Sequence, residues 1–173
     1  MKEWKDRVTF KGEPLTLLGD EITPCMTAPK VTLINTKLEP VTLGDEEDTV
    51  LVLASVPSLD TAVCSKETKR FSKEAESLPG KAKLVFVSMD LPFAQERWAE
   101  EHHVTNITFL SDHREAAFGK AFGVLIKELR LLARAIFIID ANGVVTYTEM
   151  VKEMTDEPDY HAALSAAAAR GIS

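Results

Sequence analysis

Cysteine is scarce in this 173-residue chain, which holds two thiols, Cys25 and Cys64, 39 positions apart. That spacing suits neither a zinc site nor a disulfide-stapled scaffold, and the absence of a Cys-x-x-Cys pair excludes dithiol exchange by that arrangement. Positive charge is short as well: 20 Lys and Arg face 27 Asp and Glu, for a net charge of -7 and no long basic run. Nucleic acid and anionic membrane surfaces are therefore not expected partners. No window approaches the about 18 apolar residues that would span a bilayer. The mixed-charge residues 1–7 are followed by no apolar signal core. A cytoplasmic protein is expected, with both thiols reduced at rest. Histidine offers no metal pattern, since His102 and His103 are neighbours that cannot share a helix face, and His113 and His161 fall in other elements. No cofactor or metal is expected. Asp60, Asp90, Asp112 and Asp140 read as caps or solvent-facing groups near strand ends, without the paired carboxylates of a hydrolase. With no repeat, linker or compositional break, residues 1–173 read as a single domain.

What is present is an alternation of short apolar runs and helical patterns, in a chain that is 45% apolar. Residues 8–17 alternate around Lys11 and Gly12 and predict a peripheral N-terminal hairpin. Strands are expected at 31–33, 41–43, 49–55, 83–88, 107–110, 134–140 and 144–148, with Asn142 and Gly143 turning the last pair. The run 49–55 is almost continuously apolar, as a strand covered on both faces should be. Cys64, Thr68, Phe71, Ala75 and Leu78 recur at steps of four and three, predicting a helix over 62–77 that Pro79 and Gly80 end. Further helices are expected from Pro92 through Arg97 and Trp98, at 114–122 and at 159–170. Gln95 and Arg97 read as surface residues. From residue 49 the order is βαβαβαββα, which predicts a layered α/β fold with a mixed central sheet and an antiparallel edge. A thioredoxin-like core satisfies that order.

Cys64 falls where the apolar strand ends and a helix begins, a position that favours thiolate. Thr61, three residues earlier, is close enough to meet the sulfur, although it serves equally well as a helix cap. Arg134 brings a permanent charge and several fixed donors to a strand start, where the alternative is a surface ion pair. Pro57 shapes the loop ahead of Cys64, as any loop proline would. Cys64 itself reads equally as a packed core cysteine.

Three separated segments decide between these readings. Pro57, Thr61 and Cys64 fit P-x-x-x-T-x-x-C, Ser88 to Gln95 fit S-x-D-L-P-F-A-Q, and Leu132 to Ala135 fit L-A-R-A. With Glu157, Pro158, Asp159 and Tyr160 near the end, the chain resembles the bacterial thiol peroxidase branch of the peroxiredoxins over nearly its whole length. The resemblance implies a peroxidatic Cys64 served by Thr61, Arg134 and Pro57, and a hydroperoxide substrate. It also implies a thioredoxin-like protein or small thiol as reductant, and a homodimer. An alkyl hydroperoxide would enter a partly apolar mouth near Phe93 and Trp98.

The chain departs from the family where the branch carries its resolving cysteine, because Ala99 stands there. Without a second thiol the sulfenic acid lives longer and is open to further oxidation. Either an external thiol reduces Cys64, or Cys25 resolves it, or the chain is a substituted form with interrupted turnover. A redox sensor or relay that hands oxidation from Cys64 to a partner thiol is the alternative function.

Overall fold

The computed structural model describes residues 1–45, 48–78 and 80–171. Among them, β5 (Val50–Ser55), β6 (Ala82–Ser88) and β7 (Ile107–Ser111) form a parallel centre. β9 (Ala135–Ile139) and β10 (Val145–Met150) add antiparallel to one side, and β3 (Val31–Asn35) and β4 (Pro40–Leu43) to the other. The resulting order, β10-β9-β5-β6-β7-β3-β4, is the mixed α/β sheet expected, with the last hairpin at its edge. Asp140 fixes that hairpin by accepting from the amides of Asn142 and Val144, both at 2.9 Å, while Gly143 takes φ +78°.

Strand alternation sends two apolar sets to opposite faces. Val50, Val52, Ala54, Leu84, Phe86, Ile136 and Ile138 face α1 (Ala62–Ala75), α2 (Pro92–Glu101) and α4 (Tyr160–Gly171). Their neighbours Leu51, Leu53, Val85, Val87, Phe137 and Ile139 face α3 (Ala117–Ala121) and the N-terminal hairpin. All six residues of β5 are buried, which explains its unbroken apolar run. Phe71 anchors α1 edge-on to Phe86 and Tyr160, with ring centroids 5.8 and 5.0 Å away. No helix among the described residues is long and apolar enough to cross a membrane.

The hairpin of β1 (Glu3–Phe10) and β2 (Glu13–Leu18) lies outside the central sheet and sends Val8 and Leu17 into the core. A short strand with no sequence signal, β8 (Leu125–Ile126), pairs with Leu17 and Leu18 and ties this small sheet over the second apolar face. Helix α3 begins three residues later than 114, since the buried Asp112 carboxylate accepts from the amides of Phe118 and Gly119 at 3.0 and 2.8 Å. Pro79, expected to end α1, lies outside the described residues. Ser77 turns back there, its hydroxyl donating to the Glu74 carbonyl at 2.8 Å.

Candidate active site

The carboxyl ends of the parallel strands gather the polar residues that the apolar strands exclude. α1 starts after the loop that leaves β5, and Thr61 is its N-cap. The Thr61 hydroxyl accepts from the Cys64 amide at 3.2 Å and donates to the Ser58 carbonyl at the same distance. Thr61 is exposed, whereas Pro57 and Cys64 behind it are buried. The capping role therefore accompanies any contact with substrate, and it fixes the first turn that carries the sulfur.

Arg134 enters from the start of β9. Its register is set from two sides, by Ser55 donating to the Ala133 carbonyl at 2.7 Å and by the Val151 amide donating to the Arg134 carbonyl at 3.0 Å. Arg134 is 1% exposed, so it is no surface ion pair. It donates to the Met154 carbonyl at 2.9 Å and to a carboxylate oxygen of Glu67, itself fully buried. Burial alone disfavours its charge, but Glu67 and Cys64 more than offset that, and its pKa is raised. For Glu67 the balance falls the other way. Burial outweighs the attraction of Arg134 and pushes its carboxyl up to about 7.

The S-x-D-L-P-F-A-Q segment holds the Cys64 loop from the next strand. Asp90 accepts from the Ser58 hydroxyl at 2.6 Å, the Leu59 amide at 2.8 Å and the Ser88 hydroxyl at 2.8 Å. Gln95, read from the sequence as a surface residue, is fully buried and donates to Ser88 and to the Leu110 carbonyl at 3.0 and 2.9 Å. Arg97 does face solvent, paired with Asp60 at 3.0 Å. Phe93 and Trp98 do not share a mouth. Phe93 is 64% exposed, and Trp98 is buried, packed edge-on to Phe109 and stacked on His102. Pro92 at the start of α2 faces inward, so the side chains after it divide between solvent and core.

Cys25 and Cys64 are far apart in the fold. The Cys25 amide donates to the Val145 carbonyl, and Val145 registers with Ile139 and, through it, with Leu51 at the amino end of β5. Cys64 follows the opposite end, past Ser55. Four strand residues separate those levels by about 13 Å, whereas a disulfide needs α-carbons within about 4.4 to 6.8 Å. Sequence reasoning missed Glu67 and Ser55. Glu67 had a signal, since it follows Cys64 by three residues on a helix face that runs inward.

A buried helix-start thiol beside a buried guanidinium, on a mixed sheet of this order, is the arrangement of a thiol-based oxidoreductase. The Redoxin family pattern matches residues 24–164. A thiol peroxidase of Halalkalibacterium halodurans is 50% identical over 162 residues, covering 94% of this chain and 97% of that protein. The thiol peroxidase of Bacillus subtilis is 46% identical, covering 94% and 96%. Among solved structures, a peroxiredoxin-like protein from Aquifex aeolicus superposes with a TM-score of 0.87 at 40% identity, covering 94% of this chain and 96% of that one. A thiol peroxidase from Chromobacterium violaceum gives 0.79 at 28% identity, covering 90% and 91%. The chain belongs to the Redoxin family and, within it, to the bacterial thiol peroxidases of the peroxiredoxin class.

Proposed function

We propose that this chain reduces hydroperoxides through the Cys64 thiolate. The observation that carries the reading is the pairing of a thiol in the first turn of α1 with the buried Arg134, a cation that water cannot screen. Sγ attacks the terminal peroxide oxygen, an S–O bond forms, the O–O bond breaks, and the departing oxygen takes a proton. Charge develops on that oxygen, and fixed donors from Arg134 are suited to meet it, while the Thr61 hydroxyl holds the turn that presents the sulfur. Because Thr61 is exposed and Cys64 covered, the peroxide arrives from the Thr61 side. Leu91 and Phe93, 52% and 64% exposed, give that approach an apolar border suited to an alkyl hydroperoxide.

The product is a sulfenic acid, and Ala99 supplies no thiol to condense with it. An external thiol attacks the sulfenic sulfur, water leaves, and a second thiol releases Cys64 from the mixed disulfide. A thioredoxin-like protein or a small thiol fills that role, in a reducing compartment such as the cytoplasm. The exposed Leu91 and Phe93 also support a homodimer, which sedimentation mass would test. The deciding measurement is single-turnover peroxide consumption by the reduced chain and by Cys64→Ser. One equivalent consumed by the first and none by the second is expected, and equal loss in both would remove the assignment. Repeated turnover with a supplied thiol separates the peroxidase from a relay that oxidises one partner thiol and stops.

A further inference from the structure

Arg134 is one cation standing between two acids. Glu67 lies one helical turn beyond Cys64, and both are fully buried. Glu149 on β10, Glu157 ahead of α4 and Tyr160 on α4 add further acidic groups around Glu67. The cations nearby on α1 are turned elsewhere, Lys66 to Glu157 at 3.2 Å and Arg70 over the Tyr160 ring at 4.4 Å. A thiolate and a carboxylate together would leave net negative charge beside a single guanidinium in a space closed to water, which is costly. One of the two acids must keep its proton. The second Glu67 oxygen, Oε1, is buried without a hydrogen-bond partner, which suits it to carry that proton.

We propose that Cys64 and Glu67 share one proton around Arg134, so that Glu67 takes up the thiol proton when Sγ becomes anionic. The inference rests on the peroxidase reading of Cys64. In the first step the S–H bond of Cys64 breaks and an O–H bond forms on Glu67, with the net charge of the site unchanged. In the second, the thiolate attacks, S–O forms, O–O breaks, and the departing oxygen takes its proton from solvent at the exposed Thr61 side, while Glu67 returns one to solvent as the sulfur loses its charge. Thiolate, neutral Glu67 and ROOH thus become sulfenic acid, carboxylate and ROH, and both atoms and charge balance. The burial that pushes Glu67 up to about 7 agrees with this exchange. Glu67 does not touch the peroxide. It is a positioning residue that acts through Arg134.

The test uses the reduced full chain, followed by ultraviolet thiolate absorbance and by infrared difference spectra of carboxyl-labelled glutamate across pH. In the wild type, a carboxylic-acid band should persist where thiolate is already present, and Glu67→Gln should remove it. In Cys64→Ser that band should be lost about one pH unit lower or more, a tenfold shift in proton affinity, because Arg134 then serves Glu67 alone. Glu67→Gln should move thiolate formation to lower pH by a similar amount. If that variant does not fold, the comparison of wild type with Cys64→Ser decides alone. Identical carboxyl titrations in those two proteins would overturn proton sharing and leave Glu67 a structural ion-pair partner. Peroxide loss measured in the same samples tests the peroxidase reading separately.

Discussion

Replacing Arg134 by Met removes the guanidinium while keeping much of its volume, and the structure sets the size of two separate effects. The first is kinetic. Arg134 is the buried cation beside Cys64, and loss of a preorganised donor from an anion-stabilising site costs about 2.7 to 4 kcal/mol, or roughly 100- to 1,000-fold in rate. The Thr61 hydroxyl and the amides of the first helical turn remain, so residual attack is expected. The second effect is on stability. Breaking a buried ion pair commonly costs about 3 to 5 kcal/mol because an uncompensated charge is left behind. Here Glu67 already stands near neutrality at about 7, so it escapes that penalty by taking a proton. What remains is mainly the Met154 carbonyl losing its donor, about 1 to 3 kcal/mol. Rapid-mixing peroxide consumption and urea unfolding read the two effects independently. Attack within about threefold of wild type, with native-like circular dichroism, would refute the role given to Arg134.

Ala99→Cys should turn the product of one peroxide equivalent from an oxygen-added chain into one lighter by two hydrogens, read by intact mass; a persistent oxygen adduct would show that α2 cannot bring position 99 to Cys64. Asp90→Ala strands the Ser58 and Ser88 hydroxyls and the Leu59 amide, so a stability loss of about 1 to 3 kcal/mol is expected in urea unfolding, together with slower attack by the loosened loop. Glu67 has a folded pKa above its ordinary value, so the folded chain holds more protons than the unfolded chain between about 4.5 and about 7. Its stabilising share is therefore complete below that window and fades by about 3 kcal/mol as pH rises through it. Comparing the pH dependence of unfolding in wild type and Glu67→Gln should show that slope disappear in the variant.

The strands were legible because burial on both faces leaves an unmistakable mark, as in β5, where every side chain is enclosed. The Cys64 helix was legible because one face repeats every three to four residues, and the Asp140 turn because its dipeptide demands a particular backbone. β8 was not, since two residues carry no period and become a strand only by pairing with Leu17 and Leu18. Gln95 and Trp98 were misplaced for a related reason. Polarity suggested an outward Gln95, but Ser88 and the Leu110 carbonyl satisfy its amide inside. An apolar mouth suggested Trp98, but the ring is taken up by Phe109 and His102. Cys64, Thr61 and Arg134 could be named from motifs. The buried carboxylate that binds the guanidinium was marked only by its three-residue step from Cys64 on the inward face, and its pairing with Arg134, 67 residues away, is set by the fold.

The position of Cys25 and the identity of residue 99 together constrain the fate of the oxidised sulfur. Residue 99 packs against the same apolar cluster that encloses Cys64, and as alanine it carries no thiol. Cys25 keeps a thiol but stands at the other end of β5, separated by the length of the strand. Bringing it to Cys64 would mean detaching the 24–27 segment from β10 and crossing the sheet edge, a far larger change than opening one turn of α1. A reductant from solution would need only that turn to move, and the turn is held by the Thr61 capping hydroxyl, the Ser65 amide, the Thr68 hydroxyl that donates to the Cys64 carbonyl, and the Asp90 contacts to its loop. Local opening of a few hydrogen bonds is a low-energy event beside dismantling strand contacts. On the proposed chemistry, the geometry that gives a Cys64 sulfenic acid no internal partner leaves it within reach of an external thiol.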